Sequence, residues 1–356
     1  MAKGALDMRH DIAVPATWNA PGTEEKRGYS RAAIPCYHYS TYGLVLSSQF
    51  ELPELRGTKP TPSPDIEILA DSFPKDPTNT GVSRVDPQGS ADCSQFVFEG
   101  VARYRIEQGK RILIDRRMLK TRGTGTPERD LRGHLLGSAM GTLLHQKHWL
   151  PLHLSALETP DGVWGFTGAP GAGISTLAAW LHYHHDWPLL TDEVGVIKPG
   201  EALPYLHPGP PRLKLRKDAL ASLEFNHHSL SRDLTRAGKY HLTLQQGFHT
   251  YAQPLKALVL LEHADKGAAG SLEPLEGLEA LEVVMASLYL PEWGQAFNGP
   301  ARLMTYVSEL AQRIQVYRYR RPWSLVDMEL GLAPLVQRIH ERASHVTTDS
   351  HPLEGR

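Results

Sequence analysis

The clearest periodic pattern along the chain is helical and lies between residues 131 and 144. Seven apolar residues recur there at spacings of three and four, namely Leu131, Leu135, Leu136, Ala139, Met140, Leu143 and Leu144. This spacing puts them on one face of a helix that packs against a core. Thr126, Pro127 and Glu128 supply a cap and a proline for the first turn, which predicts a helix that begins there.

Before this helix, residues 37–115 alternate between apolar and polar positions in short runs. Runs such as 96–98 and 111–114 predict strands joined by turns. Residues 58–64 and 73–87 are rich in Pro, Thr, Asp and Gly, which predicts loops. This part of the chain is therefore predicted to be an α+β domain of short strands that ends in the helix.

Longer apolar runs begin at about residue 149 and indicate a second domain, as a length of 356 residues suggests. Its predicted elements are a buried strand over 255–261 and helices over 278–286 and 325–339. We divide the chain into a flexible arm over 1–35, an N-terminal α+β domain over 36–148, a second domain over 149–343 and a flexible tail over 344–356.

Composition and charge exclude several functional classes. The chain is 41% hydrophobic and 22% charged, as in globular proteins, and its net charge of −1 gives no basis for binding nucleic acid. Cys36 and Cys93 are far apart, which predicts neither a metal site nor a disulfide framework and suits a reducing cytosol. No run approaches the roughly 20 apolar residues of a bilayer span. We expect a cytoplasmic protein with no nucleic-acid or membrane partner.

The strongest chemical signal is a glycine-rich stretch made of Gly168, Ala169, Pro170, Gly171, Ala172, Gly173, Ile174, Ser175 and Thr176. It has the spacing of a phosphate-binding loop, G-x-x-x-x-G-K-[ST], but isoleucine replaces the lysine. An apolar run over 162–167 precedes it, and apolar residues at helical spacing follow it, which predicts a strand, a loop and a helix. Amides at a helix N-terminus bind anions without a lysine. A glycine turn without a ligand is the alternative.

Polar residues also interrupt two nearby apolar runs. Asp192 and Glu193 interrupt residues 187–197, and His153 interrupts residues 152–157. Acids at the end of a core strand beside a phosphate loop suit Mg²⁺ binding and removal of a hydroxyl proton. Taken singly, the acids are more typical of a strand-end turn than of a metal site, and the histidine is more typical of a core than of a catalytic site. Their occurrence on either side of the loop favours a common site.

In this order the motifs resemble those of the HPr kinase/phosphorylase-type serine kinases. The resemblance is closer to the HPr-kinase-like group that includes the lasso-peptide tailoring kinases. It is carried by L-H-x-S-A at 152–156, S-T-L-A at 175–178, L-L-T-D-E at 189–193 and weaker matches at 42–55, 207–215 and 316–322. It therefore covers the chain from about residue 39 to about residue 339. Two positions depart from the pattern, because Ile174 replaces the lysine and Glu193 replaces a second aspartate.

The resemblance implies an α/β fold, with residues 149–343 as a phosphate-loop domain of the phosphoenolpyruvate-carboxykinase/HPr-kinase type. It implies ATP as phosphoryl donor, Mg²⁺ as cofactor and a serine hydroxyl of a peptide or protein as acceptor, such as a peptide natural-product precursor. By position, the loop residues 168–176 would hold the phosphates, and Ser175, Asp192 and Glu193 the Mg²⁺. Asp192 would accept the hydroxyl proton and His153 would tune it. Whether the chain forms a homo-oligomer is left open.

The missing lysine leaves two hypotheses. A working kinase needs another cation, for which we expect Arg212 or Lys214, with Arg320 as a third candidate. The basic run 212–217 is equally typical of a solvated face. Loss of one charge donor costs about 10²–10³ in rate, which a substitute cation can offset. The alternative is a pseudokinase with a degenerate loop that acts as a binding or regulatory protein. The retained Ser175, Asp192 and His153 favour the kinase.

Overall fold

The computed structural model shows a mixed α/β protein with several sheets and helices. It describes residues 36–73, 84–85, 93–117, 127–233, 238–265, 268–322 and 324–348. The predicted arm and the end of the predicted tail lie outside these residues. None of the helices among them is both long and apolar enough to span a bilayer.

The described residues group into two compact units. The first takes those up to Trp149 together with Leu290–Leu303, and the second takes Leu150–Tyr289 and those from Met304 onward. The first unit is therefore built from two separate stretches of chain. The stretch 290–303 was expected in the second domain, because no local pattern sets it apart from its neighbours.

The first unit contains one eight-stranded sheet. Its strands are β1 (Tyr37–Thr41), β2 (Leu44–Ser48), β3 (Arg56–Gly57), β4 (Ile66–Ala70), β5 (Arg84–Val85), β6 (Cys93–Phe98), β7 (Ala102–Glu107) and β8 (Arg111–Asp115), in the order β3-β1-β2-β4-β8-β7-β6-β5. The pairs β2–β4 and β4–β8 are parallel, and the other pairs are antiparallel. The predicted strands over 96–98 and 111–114 are confirmed. Residues 58–64 form a loop as predicted, while β5 lies in the predicted loop over 73–87.

The predicted amphipathic helix is confirmed in the first unit. It consists of α1 (Pro127–His134), a π-helical segment (Leu135–Ala139) and α2 (Met140–Gln146). Six of its seven predicted core residues are less than 2% exposed, and Leu136 is 8% exposed. The periodicity of the leucines therefore identified the buried face correctly, although it did not reveal the π-helical segment.

The second unit contains a large mixed sheet and a small antiparallel one. The strands of the large sheet are β9 (Leu150–His153), β10 (Ser155–Thr159), β11 (Gly162–Gly168), β12 (Leu189–Thr191), β13 (Val194–Ile197), β14 (Tyr205–His207), β18 (Gln253–His263), β19 (Ser271–Leu275) and β20 (Gln315–Arg321). The small sheet has β15 (Arg212–Arg216), β16 (Ser231–Arg232) and β17 (Lys239–Thr243). Three neighbouring strands of the large sheet, β11, β18 and β20, are parallel.

Helices pack on the two sheets of the second unit. They are α3 (Ile174–His185), α4 (Lys217–Ser222), a 3-10 turn (His227–Ser229), α5 (Gly277–Ala286) and α7 (Met328–Thr348). Of these, α3, α5 and α7 pack on the large sheet and α4 on the small one. A further helix, α6 (Pro291–Arg313), is interrupted at Gly299, where φ is 69° and a proline follows. The predicted strand over 255–261 and helix over 278–286 are confirmed. Helix α7 begins three residues later than predicted and continues into the first residues of the predicted tail.

Each of two strands predicted in the second unit is in fact a pair of strands. The run 187–197 forms two strands, β12 and β13, that separate at Asp192 and Glu193. The run 152–157 likewise forms β9 and β10, which separate at Leu154. Each run is predominantly apolar on both sides of the break because both of its strands are buried, so hydrophobicity alone did not reveal the breaks.

Candidate functional site

The glycine-rich stretch joins a strand to a helix in the second unit. Strand β11 ends at Gly168 and α3 begins at Ile174, so five residues form the loop between them. Ala169, Pro170 and Gly171 are exposed, and the Ala172 amide donates to the Ala169 carbonyl at 2.9 Å in a tight turn. The exposed loop thus leads into the N-terminus of a twelve-residue helix, a setting in which backbone amides bind anions.

Two glycines are required by the geometry of this loop. A Cβ atom on Gly168 would lie 2.8 Å from the carbonyl oxygen of Leu261, so no side chain fits there. Gly173 caps α3 with φ 75° and ψ 23°, in the left-handed region that favours glycine. Ile174, by contrast, is buried in the core of the second unit with Leu177. Position 174 therefore contributes apolar packing and no charge to the loop.

The sheet brings the acids to the same edge as the loop. Strand β10 lies between β11 and β12 and is antiparallel to both, so β11 and β12 run in the same direction. Ala156 of β10 is opposite Gly165 of β11 and Thr191 of β12. The loop leaves the end of β11, and Asp192 follows the end of β12. Both therefore lie where ligands bind in sheets of this kind, beyond the carboxyl ends of the strands.

Asp192 is a buried carboxylate held by hydrogen bonds. It is 5% exposed, and it accepts from the Ser155 hydroxyl and, at 2.7 Å, from the Lys214 backbone amide. No Lys, Arg or His side chain among the described residues lies within 4.0 Å of its oxygens. The carboxylate is thus oriented by neutral donors, which leave it free to accept a proton or to bind a cation.

A cluster of charged side chains lies beside Asp192. The Lys214 ammonium pairs with Glu193 and lies 3.2 Å from Asp233 Oδ2. His241 Nε2 lies 3.3 Å from the same oxygen, and its Nδ1 lies 3.4 Å from Arg212 Nη1. Arg212 and Lys214 are each 7% exposed, so these two residues of the basic run do not form a solvated face.

The titration of His241 reflects this cluster. Burial lowers the pKa of His241, the hydrogen bond with Asp233 opposes this, and the charges of Arg212 and Lys214 lower the pKa further. His241 is therefore neutral at pH 7, and the cluster holds two cations against two acids. Asp233 and His241 were not singled out from the sequence, because neither belongs to a motif.

The remaining predicted residues lie close in the fold. His153 ends β9 opposite Val194 of β13, and its carbonyl accepts from the Thr167 hydroxyl at 2.9 Å, so its backbone is joined to the strand that precedes the loop. Its contact with Asp192 stays a prediction. The Ser175 and Thr176 side chains stand half-buried in the first turn of α3, and their hydroxyls make no hydrogen bond to the described residues.

Arg321 is a residue of this edge that the sequence analysis missed. Tyr317, Tyr319 and Arg321 alternate along β20 as its buried face. Arg321 ends the strand, and its Nη2 lies 3.4 Å from the position that a Cβ atom on Gly173 would take. Arg320, the residue predicted instead, is 46% exposed with its Nε 3.0 Å from Glu262. Since side chains alternate along a strand, the two buried tyrosines could have identified Arg321 from the sequence.

The predicted Mg²⁺ ligands fit the ion in their chemistry. Ser175, Asp192 and Glu193 offer a hydroxyl and two carboxylates, and proteins bind Mg²⁺ through one or two carboxylates together with substrate phosphates. Each Asp192 oxygen accepts one hydrogen bond and so keeps a lone pair. The described residues contain no group of three or more His, Cys, Asp or Glu placed to hold a metal by themselves. A metal here would therefore need ligands from a bound substrate.

The glycine loop and Asp192 thus lie at one edge of one sheet. No protein-family model matches the sequence, and no curated protein matches it either. These two results assign no family to the chain.

Proposed function

We propose that this protein is an ATP-dependent kinase of the HPr-kinase-like type, which phosphorylates a serine hydroxyl of a peptide or protein. The observation that carries the proposal is the meeting of the glycine loop and Asp192 at one edge of the large sheet in the second unit. Three parallel strands that end at this edge support a phosphate-loop fold. The order of the motifs in the sequence supports serine as the acceptor.

Each residue of the site has a task in this reaction. The loop amides and the N-terminus of α3 bind the nucleotide phosphates. Asp192, oriented by Ser155 and the Lys214 amide, accepts the proton of the attacking hydroxyl. Ser175, Asp192 and Glu193 would hold a bound Mg²⁺, which would supply charge neutralisation at the phosphates. His153 lies beside this edge and tunes Asp192.

A second candidate function is supported by one observation. The side chain at position 174 is buried in the core, and Lys214 pairs with Glu193, so neither delivers a free charge to the loop. A protein with this arrangement could bind nucleotide weakly, or not at all, and act through partners as a pseudokinase. The retained hydrogen bonds to Asp192 favour the kinase, because a binding protein has no need of an oriented carboxylate.

Calorimetric titration with ATP, with and without Mg²⁺, tests the proposal first. We expect binding that depends strongly on Mg²⁺, since carboxylates and phosphates share the ion. No heat and no thermal shift at millimolar ATP would exclude the nucleotide site and the kinase together.

Phosphoryl transfer from labelled ATP to a library of serine-containing peptides then separates the two candidates. Incorporation that disappears when the serine is replaced by alanine identifies the kinase. ATP binding without incorporation into any member of the library supports the pseudokinase.

A further inference from the structure

Arg321 is a buried charge with no acidic partner in the described part of the chain. It is 3% exposed, and its Nη1 donates to the Pro322 carbonyl at a long 3.4 Å. Its Nε has no hydrogen-bond partner, and no Asp or Glu among the described residues lies within 4.0 Å. A buried guanidinium without an acid is costly for a fold. Buried unsatisfied groups in native proteins call for a ligand or a functional explanation.

The guanidinium is directed at the glycine loop. Apart from Gly173 and its two chain neighbours, Nη2 of Arg321 is the only atom of the described residues within 4 Å of the Cβ position of Gly173, and the corresponding space above Gly171 is open. In a complete phosphate loop the lysine follows this last glycine. Arg321 therefore presents its charge at the end of the loop where the missing lysine would begin.

The sheet holds Arg321 in this place. Its strand is parallel to β18, with Arg321 opposite His263, and β18 is parallel to β11, with Leu261 opposite Gly168. The loop and the arginine thus leave carboxyl ends of the same three-stranded parallel group. A side chain at the end of a paired central strand is fixed more firmly than one on a loop.

The other candidate cations already have neighbours. Lys214 is paired with Glu193 and close to Asp233, and Arg320 is paired with Glu262 on the opposite face of β20. Arg212 lies against the His241 ring. Neither Arg212 nor Arg321 has an acid within 4.0 Å among the described residues, and Arg321 is the one whose guanidinium lies beside the glycine loop, 3.4 Å from the Cβ position of Gly173.

We infer that Arg321 replaces the missing loop lysine and binds the phosphate chain of the nucleotide held by residues 168–173. The inference rests on the proposed function for the identity of the nucleotide, but its chemistry requires only a polyphosphate. A guanidinium suits this task because its planar fork donates two hydrogen bonds to one phosphate group. Ile174 can then pack in the core without loss of the charge that the loop needs.

Titration calorimetry on the full chain tests this, with Mg·ATP and with inorganic tripolyphosphate as the two probes. Arg321→Gln should weaken the binding of both by about tenfold to about a hundredfold, because it removes a charge-assisted hydrogen bond. Arg321→Lys should retain part of the affinity. Arg320→Gln is the matched comparison on the same strand, and it should change the affinity by less than about twofold.

The outcomes distinguish this inference from the kinase proposal. Equal binding by the natural chain and Arg321→Gln would overturn the role of Arg321 and leave the kinase proposal standing. If the natural chain binds tripolyphosphate but not ATP, and Arg321→Gln weakens that binding, the kinase proposal is overturned and the phosphate-binding role of Arg321 is supported. Binding of neither probe would overturn both. If Arg321→Gln fails to fold, a full-affinity Arg321→Lys variant would contradict the need for a guanidinium.

Discussion

Arg103 in the first unit and Arg321 in the second are almost equally buried, with 4% and 3% of their surface exposed, yet their surroundings differ. Arg103 pairs with the fully buried Asp115, and Arg117 reaches the same carboxylate from the surface. Arg321 has no acid near it among the described residues. The first arrangement neutralises its charges within the protein, whereas the second leaves a charge for something else to neutralise.

The two buried aspartates repeat the contrast. Burial alone would raise the pKa of Asp115, but hydrogen bonds from Arg117 and the charges of Arg103 and Arg117 outweigh it and lower this pKa to about 2. Asp192 is held by a hydroxyl and an amide, with no cation in contact among the described residues. Two buried charges that neutralise each other stabilise a fold. A buried charge with no counter-charge in contact, at the end of a sheet, indicates a site that binds a ligand.

The largest effect is expected at Asp192. Asp192→Asn should lower the rate of phosphoryl transfer by about 10²–10⁴-fold, because the amide cannot accept the hydroxyl proton. The affinity for ATP should change little. Rates and ATP affinities of the two proteins against a confirmed acceptor peptide measure both quantities. The exposed Asp218 of α4 provides the control, since Asp218→Asn should leave transfer intact. An Asp192→Asn variant with natural activity would remove Asp192 from the chemistry.

Breaking the ion pair between Arg103 and Asp115 should lower the stability of the first unit and not the rate of transfer. Asp115→Asn removes the carboxylate charge with which the buried Arg103 pairs and should cost about 3–5 kcal/mol in the first unit. Hydrogen exchange of the amides in β7 and β8 reports this unit separately from the second. Arg117→Gln should destabilise the unit much less than Asp115→Asn, because the Arg117 side chain is 58% exposed. If the amides of β7 and β8 exchange equally slowly in the Asp115→Asn variant and in the natural chain, the ion pair of Arg103 does not differ from the surroundings of Arg321 in the way described above.

Acid should weaken the first unit through the same carboxylate. The pKa of Asp115 is about 2 in the folded chain against an ordinary value of 3.8, so its contribution is complete above about pH 4 and is lost as the pH falls through about 2. A shift of this size corresponds to about 2 kcal/mol. Hydrogen exchange in β8 over this range should show the loss, and Asp115→Asn should remove that part of the pH dependence.

The smallest effect is expected from restoring the loop motif. With Arg321 in place, Ile174→Lys should change the affinity for Mg·ATP by less than about tenfold, since the phosphates already have a cation. The new lysine can extend from the first turn of α3 while its stem stays buried. If Ile174→Lys creates transfer where the natural chain has none, the pseudokinase hypothesis is correct and an arginine at position 321 is not a sufficient substitute.

Much of the second unit follows from local patterns in the sequence. The strand, loop and helix around Gly168 and Gly173 could be predicted because glycines at that spacing have few structural uses. The break at Glu193 could not, because its φ of 84° interrupts an apolar run that has no proline or glycine at that point. The neighbours of Lys214 could not be predicted either, since Asp233 and Glu193 meet it through pairing of distant strands.

The missed arginine has a different explanation. Its position was readable from the alternation with Tyr317 and Tyr319, but the alternation does not say which face of β20 meets the loop. That depends on the parallel order β11, β18 and β20, which only the fold supplies. Arg320 and Arg321 are adjacent in the chain, but they lie on opposite faces of β20, and Arg321 is the one on the face that meets the loop.

The divided first unit has a consequence for the order of events during synthesis. Trp293 and Phe297 are buried in this unit, and the Trp293 ring packs 6.0 Å from that of Phe96. A ribosome that has just added residue 149 must still make residues 150–289, the larger part of the second unit, before it reaches them. At about 5–20 residues per second this takes roughly 7–30 s. The core of the nascent N-terminal sheet therefore stays incomplete until residues 293 and 297 have been made.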